Sequence, residues 1–239
     1  MKVAVISDIH GNLRALEAVL ADIASQGVDL TVNLGDIVAG PLEPRQTLDR
    51  VIELDHPTIR GNHERILFEP KRDLVDTFAV EQLDDDHKAW LKALPKTLVV
   101  DDIYMCHGTP KSDTEPWRDN WFNGRDTTLP HEGQVVAKAM GLDHPVLLCG
   151  HTHIPRVCRL RDGRLIVNPG SVGLQMIRGA PDARYALVER RNGQWQGAIR
   201  SVPYDWHAAA QTAIANGFPR WQAALETGWT GPEGLFTRS

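Results

Sequence analysis

The first 34 residues of the chain follow a strand–helix–strand order that few folds accommodate. Residues 2–7 (KVAVIS) are a short β-branched run of the kind found in buried strands. Apolar residues then recur at helical spacing from Leu13 to Ile23, and LTVNL at 30–34 predicts a second strand. Because two strands joined by a crossover helix pair in parallel, the sequence predicts a parallel sheet covered by helices.

The rest of the chain alternates helices with strands and then becomes rich in strands. Helical patterns recur at about 44–54, 72–82, 84–94 and 133–141. Strands are predicted before Gly61 and at 96–100, 102–106, 146–149, 156–160, 164–168, 184–189 and 195–202. No repeat or linker interrupts this order. We therefore expect a single two-sheet α/β domain over 1–239, with a motif core at 1–203 and a C-terminal helical appendix at 204–239.

Composition excludes several classes of protein. With 239 residues, of which 42% are hydrophobic and 24% charged, the chain can form a globular core. Its net charge of −5 argues against a nucleic-acid surface or an anionic-membrane surface. Apolar runs are too short to span a bilayer, and the N-terminus becomes polar too early for a signal peptide. The three cysteines form no CxxC pair, which favours a reducing, cytoplasmic setting.

Side chains that ligate metals follow five of the predicted strands, at the point where each strand ends. They are Asp8 and His10, Asp36, Asn62, His107, and His151 with His153. Because the carboxyl ends of parallel strands meet at one edge of a sheet, we expect these side chains to lie close together. The set contains oxygen and imidazole ligands and no thiolate. It therefore suits Mn, Fe or Zn better than calcium or a cysteine-rich structural zinc.

Each fragment alone also has a purely structural interpretation. The two ligands of the Asp-x-His pair would point the same way from an extended backbone, but this pair is common by chance. Asp36 could be a helix cap, Asn62 a turn residue and His107 a hydrogen-bonded core histidine. The strongest fragment is the pair of imidazoles at His151 and His153. The metal-site hypothesis therefore depends on the convergence of the fragments.

The ordered series D-x-H, GD, GNHE, H and GHTH, followed by NPGSVG at 168–173, resembles the calcineurin-like metallophosphoesterases. It is similar in particular to their small prokaryotic single-domain phosphodiesterase branch. The matching blocks span residues 8–173. The resemblance implies a two-sheet β-sandwich flanked by helices, in the layer order α/β/β/α.

The resemblance also implies a role for each residue of the series. Asp8, His10 and His153 would hold one metal, Asp36 would bridge to a second, and Asn62, His107 and His151 would complete the second site. His63 would protonate the leaving group without binding metal. The implied cofactors are two divalent transition-metal ions (Mn, Fe, Zn or Ni), with manganese favoured for activity.

The activity implied is hydrolysis of a small phosphate ester by a hydroxide that bridges the two metals, and a phosphodiester is the favoured substrate. A phosphomonoesterase or a nucleotide pyrophosphatase is the alternative enzyme. A non-catalytic binding scaffold on the same fold is a remote alternative, because such a protein has little reason to keep every ligand type in order.

The sequence departs from the protein-phosphatase members of the family after Gly35-Asp36. Those members carry a second aspartate shortly afterwards, which orients the leaving-group histidine, whereas this chain continues Ile37-Val38-Ala39-Gly40-Pro41. Glu64, a water or a backbone carbonyl could orient His63 instead. This difference from the family argues against a protein phosphatase.

The residues that would bind the substrate are less evident. Trp121 and Arg125 lie in a long polar loop after His107 and are candidates for binding the substrate. The tryptophans of this loop could equally serve only to pack it against the rest of the domain. Arg60 and Arg65 could clamp a phosphate or be ordinary surface arginines. The tryptophans of the tail could pack against the body or against a second copy of the chain, as in a homo-oligomer.

Overall fold

The computed structural model describes residues 1–122, 126–230 and 234–235 and consists of two large β-sheets with helices on both outer faces. The strands are β1 (Lys2–Ile6), β2 (Leu30–Asn33), β3 (Thr97–Val100), β4 (Ile103–Cys106), β5 (Asn120–Phe122), β6 (Asp126–Thr128), β7 (Val146–Leu148), β8 (Arg156–Arg159), β9 (Leu165–Asn168), β10 (Ala183–Arg191) and β11 (Gln194–Val202). The helices are α1 (Leu13–Ser25), α2 (Pro44–Leu54), α3 (Asn62–Ile66), α4 (Leu74–Glu81), α5 (Asp85–Ala93), α6 (Glu132–Lys138), α7 (Trp206–Ala215) and α8 (Trp221–Thr227).

The first sheet has the strand order β11-β10-β1-β2, and the second has the order β3-β4-β7-β9-β8. Within the first sheet β1 and β2 are parallel, while β10 runs antiparallel to both of its neighbours. Within the second sheet β4, β7 and β9 are parallel and the two edge strands are antiparallel. Strands β5 and β6 form a separate hairpin.

The two sheets pack face to face because alternate residues of their strands are apolar. Val3 and Val5 of β1 face the second sheet, where they join a buried cluster with Met105 and Leu148. The intervening residues Ala4 and Ile6 point to the opposite face, against α1 and α2. Burial on both faces explains why β1 reads as a continuous apolar run.

The outer face of the second sheet is covered by α6 and the loop before it. Trp117 is 1% exposed, packs in this layer, and donates a hydrogen bond from its indole nitrogen to the carbonyl of Val135. The layer order is therefore α/β/β/α, which confirms the predicted fold class.

The C-terminal helices pack on the body of the same chain. Trp221 of α8 is 1% exposed and lies in a buried cluster with Leu42, Val75 and Leu174. Leu174 directly follows the NPGSVG segment, so the tail supports that segment from outside. Among the described residues, no helix is long and apolar enough to cross a membrane.

The structure differs from the predicted elements in three places. One is the short helix α3, which the sequence patterns did not predict. The strand expected before Gly61 is a single parallel bridge between Asn33 and Thr58. The long polar loop expected after His107 contains the β5–β6 hairpin, which has too few apolar residues to show an alternating pattern.

Candidate metal centre

The predicted ligands come together at the ends of strands from both sheets. Asp8 and Asp36 follow β1 and β2 of the first sheet, whereas His107 and His151 follow β4 and β7 of the second. The expectation of a single sheet edge is therefore corrected. Because the sheets are stacked, the carboxyl ends of two parallel strand pairs lie side by side at one end of the sandwich.

The backbone at these positions is left-handed. The φ angles at Asp8, His10, Asp36, His151 and His153 lie between 51° and 68°. The Asp-x-His pair is therefore not on the extended backbone that was expected to align it. Non-glycine residues in this conformation cost about 1 kcal/mol or more each, and they persist where the surrounding structure imposes them.

A first group of ligand atoms comes from Asp8, His10 and His153, whose side chains are buried. The Nε2 atoms of the two imidazoles lie 3.1 Å apart, and His153 Nε2 lies 3.3 Å from Asp8 Oδ1. Each Nδ1 faces a backbone carbonyl at 2.6 Å, that of Ala39 or of Leu174. Since a carbonyl only accepts, each Nδ1 donates, and in the neutral rings both Nε2 atoms present lone pairs to each other.

A second group comes from Asp36, His107 and His151. His107 donates from Nδ1 to the carbonyl of Leu34 at 2.7 Å, and its Nε2 lies 3.1 Å from Asp36 Oδ2. The amide oxygen of Asn62 faces His107 Nε2 at 3.1 Å and His151 Nδ1 at 2.8 Å. Turning the amide over would let its nitrogen donate to these two atoms and to Asp36 Oδ2, whereas in the present orientation its oxygen faces the same atoms.

The charges in the centre are unevenly distributed. Burial, followed by the neighbouring His153, lowers the pKa of His10 to about 3. Burial and the neighbouring His107 lower the pKa of His151 to about 4. At His107 burial also acts to lower the pKa, but the carboxylates of Asp36 and Asp8 outweigh it and raise the pKa to about 10. His10 and His151 are therefore neutral at pH 7, which is the protonation state that binds a metal.

The residues present fit two divalent cations. Within each group the ligand atoms all lie within 4.8 Å of one another, and the Nε2 atoms of His10 and His153 face each other with lone pairs rather than donors. A cation between them would replace this repulsion with coordination. Nitrogen and carboxylate donors without thiolate suit Mn, Fe, Zn or Ni.

Two glycines allow the close approach of the carboxylates. A Cβ at Gly61 would overlap Asp36 Oδ1, and a Cβ at Gly150 would overlap Ser7 Oγ and crowd Asp8 Oδ2. Asp36, Ser7 and Asp8 are all buried, so none of them has open space to move into. The glycines beside the ligands therefore make room for Asp36 and Asp8.

His63 lies next to both groups and contacts an acid that the sequence did not indicate. Its ring centroid is 5.4 Å from that of His10, and its Nδ1 lies 2.8 Å from Asp76 Oδ1. Burial acts to lower the pKa of His63, but Asp36 and Asp76 outweigh it and raise the pKa to about 9. His63 therefore carries a proton at pH 7.

Asp76 comes from helix α4, thirteen residues beyond His63, and is 1% exposed. The one signal in the sequence is an aspartate on the apolar face of a predicted helix, between Val75 and Ala79. Since a carboxylate is rarely buried without a partner, such a position indicates a buried polar contact.

Glu64, which the sequence offered as a candidate for orienting His63, binds backbone N–H groups instead. Its carboxylate accepts hydrogen bonds from the backbone nitrogens of Asp36 at 2.8 Å, Ile37 at 2.7 Å and Gly61 at 2.7 Å. It is 1% exposed. Glu64 therefore ties the loop after β2 to the start of α3 and holds Asp36 in place.

Replacing Glu64 with alanine should destabilise the protein by about 3–5 kcal/mol, because it leaves three buried N–H groups without an acceptor. For a chain of this size that corresponds to a fall in Tm of roughly 6–20 °C. Thermal melting in the presence of a chelator measures the effect on the fold separately from metal binding. Glu53→Ala is the control, since Glu53 is 70% exposed in a surface ion pair. Equal melting temperatures for the two variants would contradict the assignment.

The remaining sequence predictions concern the substrate-binding candidates Trp121 and Arg125 and the NPGSVG segment. The side chain of Trp121 and the whole of Arg125 lie outside the described residues. The NPGSVG segment makes a turn beside the centre, in which Ser171 is fully buried and donates to the carbonyl of Asp8 at 2.7 Å. Ser171 therefore supports the backbone of Asp8 and does not offer its hydroxyl to a ligand.

Residues 1–193 match the model of the calcineurin-like phosphoesterase superfamily domain. The uncharacterized protein MJ0912 of Methanocaldococcus jannaschii is 27% identical over 254 aligned positions, which cover 92% of this chain and 94% of that protein. Phosphodiesterase YfcE of Escherichia coli K12 is 27% identical over 202 positions, covering 79% of this chain and 88% of YfcE.

The crystal structure of a metallophosphoesterase from Sphaerobacter thermophilus is similar throughout. It shares 27% identity with this chain and superposes with a TM-score of 0.79, covering 96% of this chain and 100% of that one. The protein PH1004 of Pyrococcus horikoshii OT3 has the same fold, with 22% identity and a TM-score of 0.77 over 96% of this chain and 99% of that one.

Proposed function

Because this chain belongs to the calcineurin-like phosphoesterase superfamily, we propose that it is a dinuclear-metal phosphodiesterase acting on a small phosphodiester. The observation that carries the proposal is the pair of adjacent ligand groups with a protonated histidine beside them. Two cations close together, flanked by a proton donor, form an arrangement suited to cleaving a P–O ester.

In the proposed centre each group of ligands holds one ion. Asp8, His10 and His153 hold the first, and Asp36, Asn62, His107 and His151 hold the second. When bound, the two ions would supply Lewis acidity toward the phosphate oxygens and toward water. The neutral amide of Asn62 adds no negative charge, so the centre stays attractive to an anionic substrate.

We propose Asp36 as the residue shared by both ions. Its carboxylate raises the pKa of His107 in the second group, and it acts in the same direction on His10 in the first group. Asp8 is the other carboxylate near both groups, since its Oδ1 lies 3.9 Å from His107 Nε2. Asp36 is preferred because Glu64 fixes its backbone and His63 donates from its backbone nitrogen to Asp36 Oδ1 at 2.9 Å.

His63 is proposed as the proton donor to the leaving group. Asp76 accepts from its Nδ1 and so fixes the plane of the ring and stabilises the protonated form. A donor of this kind must be charged at the working pH, and the hydrogen bond to the buried carboxylate of Asp76 favours the charged form. Asp76 is a positioning residue, because it acts on the reaction through His63.

A phosphodiester is preferred over a phosphomonoester for two reasons. The relative YfcE is named a phosphodiesterase. The chain also lacks the aspartate that follows the GD block in the protein-phosphatase members, which argues against a protein phosphatase, one kind of phosphomonoesterase. We propose manganese as the activating ion, because the mixed oxygen and imidazole set suits it.

A substrate panel tests the proposal. The chain, reconstituted with Mn²⁺, is expected to hydrolyse bis(4-nitrophenyl) phosphate with a kcat/KM at least about 10-fold above that for 4-nitrophenyl phosphate. Cyclic nucleotides and dinucleoside pyrophosphates complete the panel. A preference for the monoester or for a pyrophosphate would establish the alternative enzyme class. No turnover of any member by protein that holds two metals would favour a binding scaffold.

A further inference from the structure

A cavity of about 210 Å³ lies directly beside the second group of ligands. It is lined by Arg60 before α3, Arg65 within α3, Lys96 before β3, and the loop at 109–113. His107 of the metal centre forms part of the same wall. We call this space the cationic cavity.

The cationic cavity contains three positively charged side chains besides Arg65. Among the described residues, no carboxylate forms an ion pair with Arg60, Lys96 or Lys111. Arg60 Nε is buried and has no hydrogen-bond partner among them. Because the chain as a whole carries a net charge of −5, this concentration of cations is a local feature. A buried guanidinium nitrogen without a protein acceptor leaves a hydrogen bond that a bound anion or a water can accept.

The fourth cation of the cavity has a structural function. Arg65 forms a two-point ion pair with Asp113, at 2.8 Å and 3.0 Å, and also contacts Glu69. The pair fastens the loop at 109–113 to α3 and cancels the charge of Asp113. The backbone nitrogen of Arg60 donates to the carbonyl of Pro95 at 2.9 Å, which holds Arg60 next to Lys96. Contacts within the protein therefore hold the wall of the cavity in place.

The size and lining of the cavity indicate which chemical group fits. Pockets that enclose a whole drug-sized ligand measure about 300–1,000 Å³, so this cavity accepts only part of a substrate. Its described lining includes no Trp, Tyr or Phe on which a base could stack. Lysine and arginine side chains bind phosphate through charge-assisted hydrogen bonds.

We propose that the cationic cavity binds a second phosphate group of the substrate, one that is not cleaved. The inference rests on the proposed function, because His107 places the cavity against the centre that would hold the scissile phosphate. The substrate class is therefore a phosphodiester that carries at least one further phosphate.

A matched pair of substrates tests this assignment. They are the 4-nitrophenyl ester of thymidine 5′-phosphate and the same ester with a 3′-phosphate added. For the Mn²⁺-loaded chain the 3′-phosphorylated ester is expected to have a kcat/KM roughly 10-fold or more above that of its partner, from one or two charge-assisted contacts. In the triple variant Arg60→Gln, Lys96→Gln, Lys111→Gln the ratio should fall to about one.

A control variant removes the same number of positive charges elsewhere. Lys71→Gln, Arg161→Gln, Arg191→Gln changes exposed residues outside the cavity, and it should keep the ratio of the wild type. If burial of Arg60 makes the first triple variant unstable, the double variant Lys96→Gln, Lys111→Gln tests the same ratio with exposed residues alone. A wild-type ratio near one, or a preference that survives in the cavity variants, overturns the proposal.

Calorimetry separates this inference from the proposed function. Thymidine 3′,5′-bisphosphate should bind the Mn²⁺-loaded wild type about 10-fold more tightly than thymidine 5′-phosphate, and the cavity variants should lose the difference. This result without turnover would retain the anion site and reject the phosphodiesterase. Turnover with equal affinities would retain the phosphodiesterase and reject the anion site.

Discussion

Asp36→Asn is expected to lower phosphodiester hydrolysis by at least about 10³-fold, because it removes the anion shared by two cations, worth several kcal/mol. The purified variant should contain less than one metal ion per chain, whereas the reconstituted wild type should contain up to two. Elemental analysis measures the stoichiometry. Chelation of the wild type should abolish hydrolysis, and Mn²⁺ should restore it.

Asn62→Ala is the matched control for Asp36→Asn. Asn62 faces His107 and His151, which both belong to the second group, so its loss should empty chiefly the second site and leave about one ion per chain. If Asp36→Asn retained two ions and normal turnover, Asp36 would not be the shared ligand. Asp8, the other carboxylate near both groups, would then take that role. Full activity in excess chelator would reject the metal centre altogether.

His63→Asn should keep both metals and lose about 10²–10⁴-fold in kcat on a substrate with a poor leaving group, the usual contribution of a general acid. An alkyl or nucleoside leaving group needs a proton as it departs, whereas nitrophenolate departs readily as an anion. The loss on a nitrophenyl diester should therefore be much smaller. Equal losses on both substrates would indicate that His63 stabilises charge on the phosphate instead.

Asp76→Asn distinguishes positioning from proton donation. Asparagine preserves the shape of the buried side chain but removes the charge that favours protonated His63. The same leaving-group dependence should appear with a smaller loss, of about 10–100-fold, and with both metals retained. A uniform loss on all substrates would assign Asp76 to the packing of α4 alone.

Local pattern predicted most of this fold. The unit from β1 to β2 followed from apolar spacing within 34 residues, and the grouping of the candidate ligands followed from their positions at strand ends. The stacking of two sheets brings Asp36 beside His107, and the order of strands along the chain does not determine how two sheets stack. The resemblance to a known family supplied it instead.

Contacts made by tertiary packing were not predictable. Asp76 reaches His63 only because α4 packs near the short helix α3, and no spacing rule links residues thirteen positions apart on separate elements. Arg60 and Arg65 look alike in the sequence. The structure distinguishes them, because Arg65 is paired with Asp113 while Arg60 Nε has no described partner.

The left-handed backbone of the ligands has a consequence for how this chain can change over evolutionary time. Glycine would relieve local strain at Asp8, His10, Asp36, His151 or His153, by about 1 kcal/mol at each position. The same exchange would empty space that a buried side chain fills, because Asp8, His10 and Asp36 are at most 1% exposed. Loss of the proposed metal chemistry alone would therefore give this chain little reason to replace these residues with glycine, since the strain relieved is small beside the packing lost.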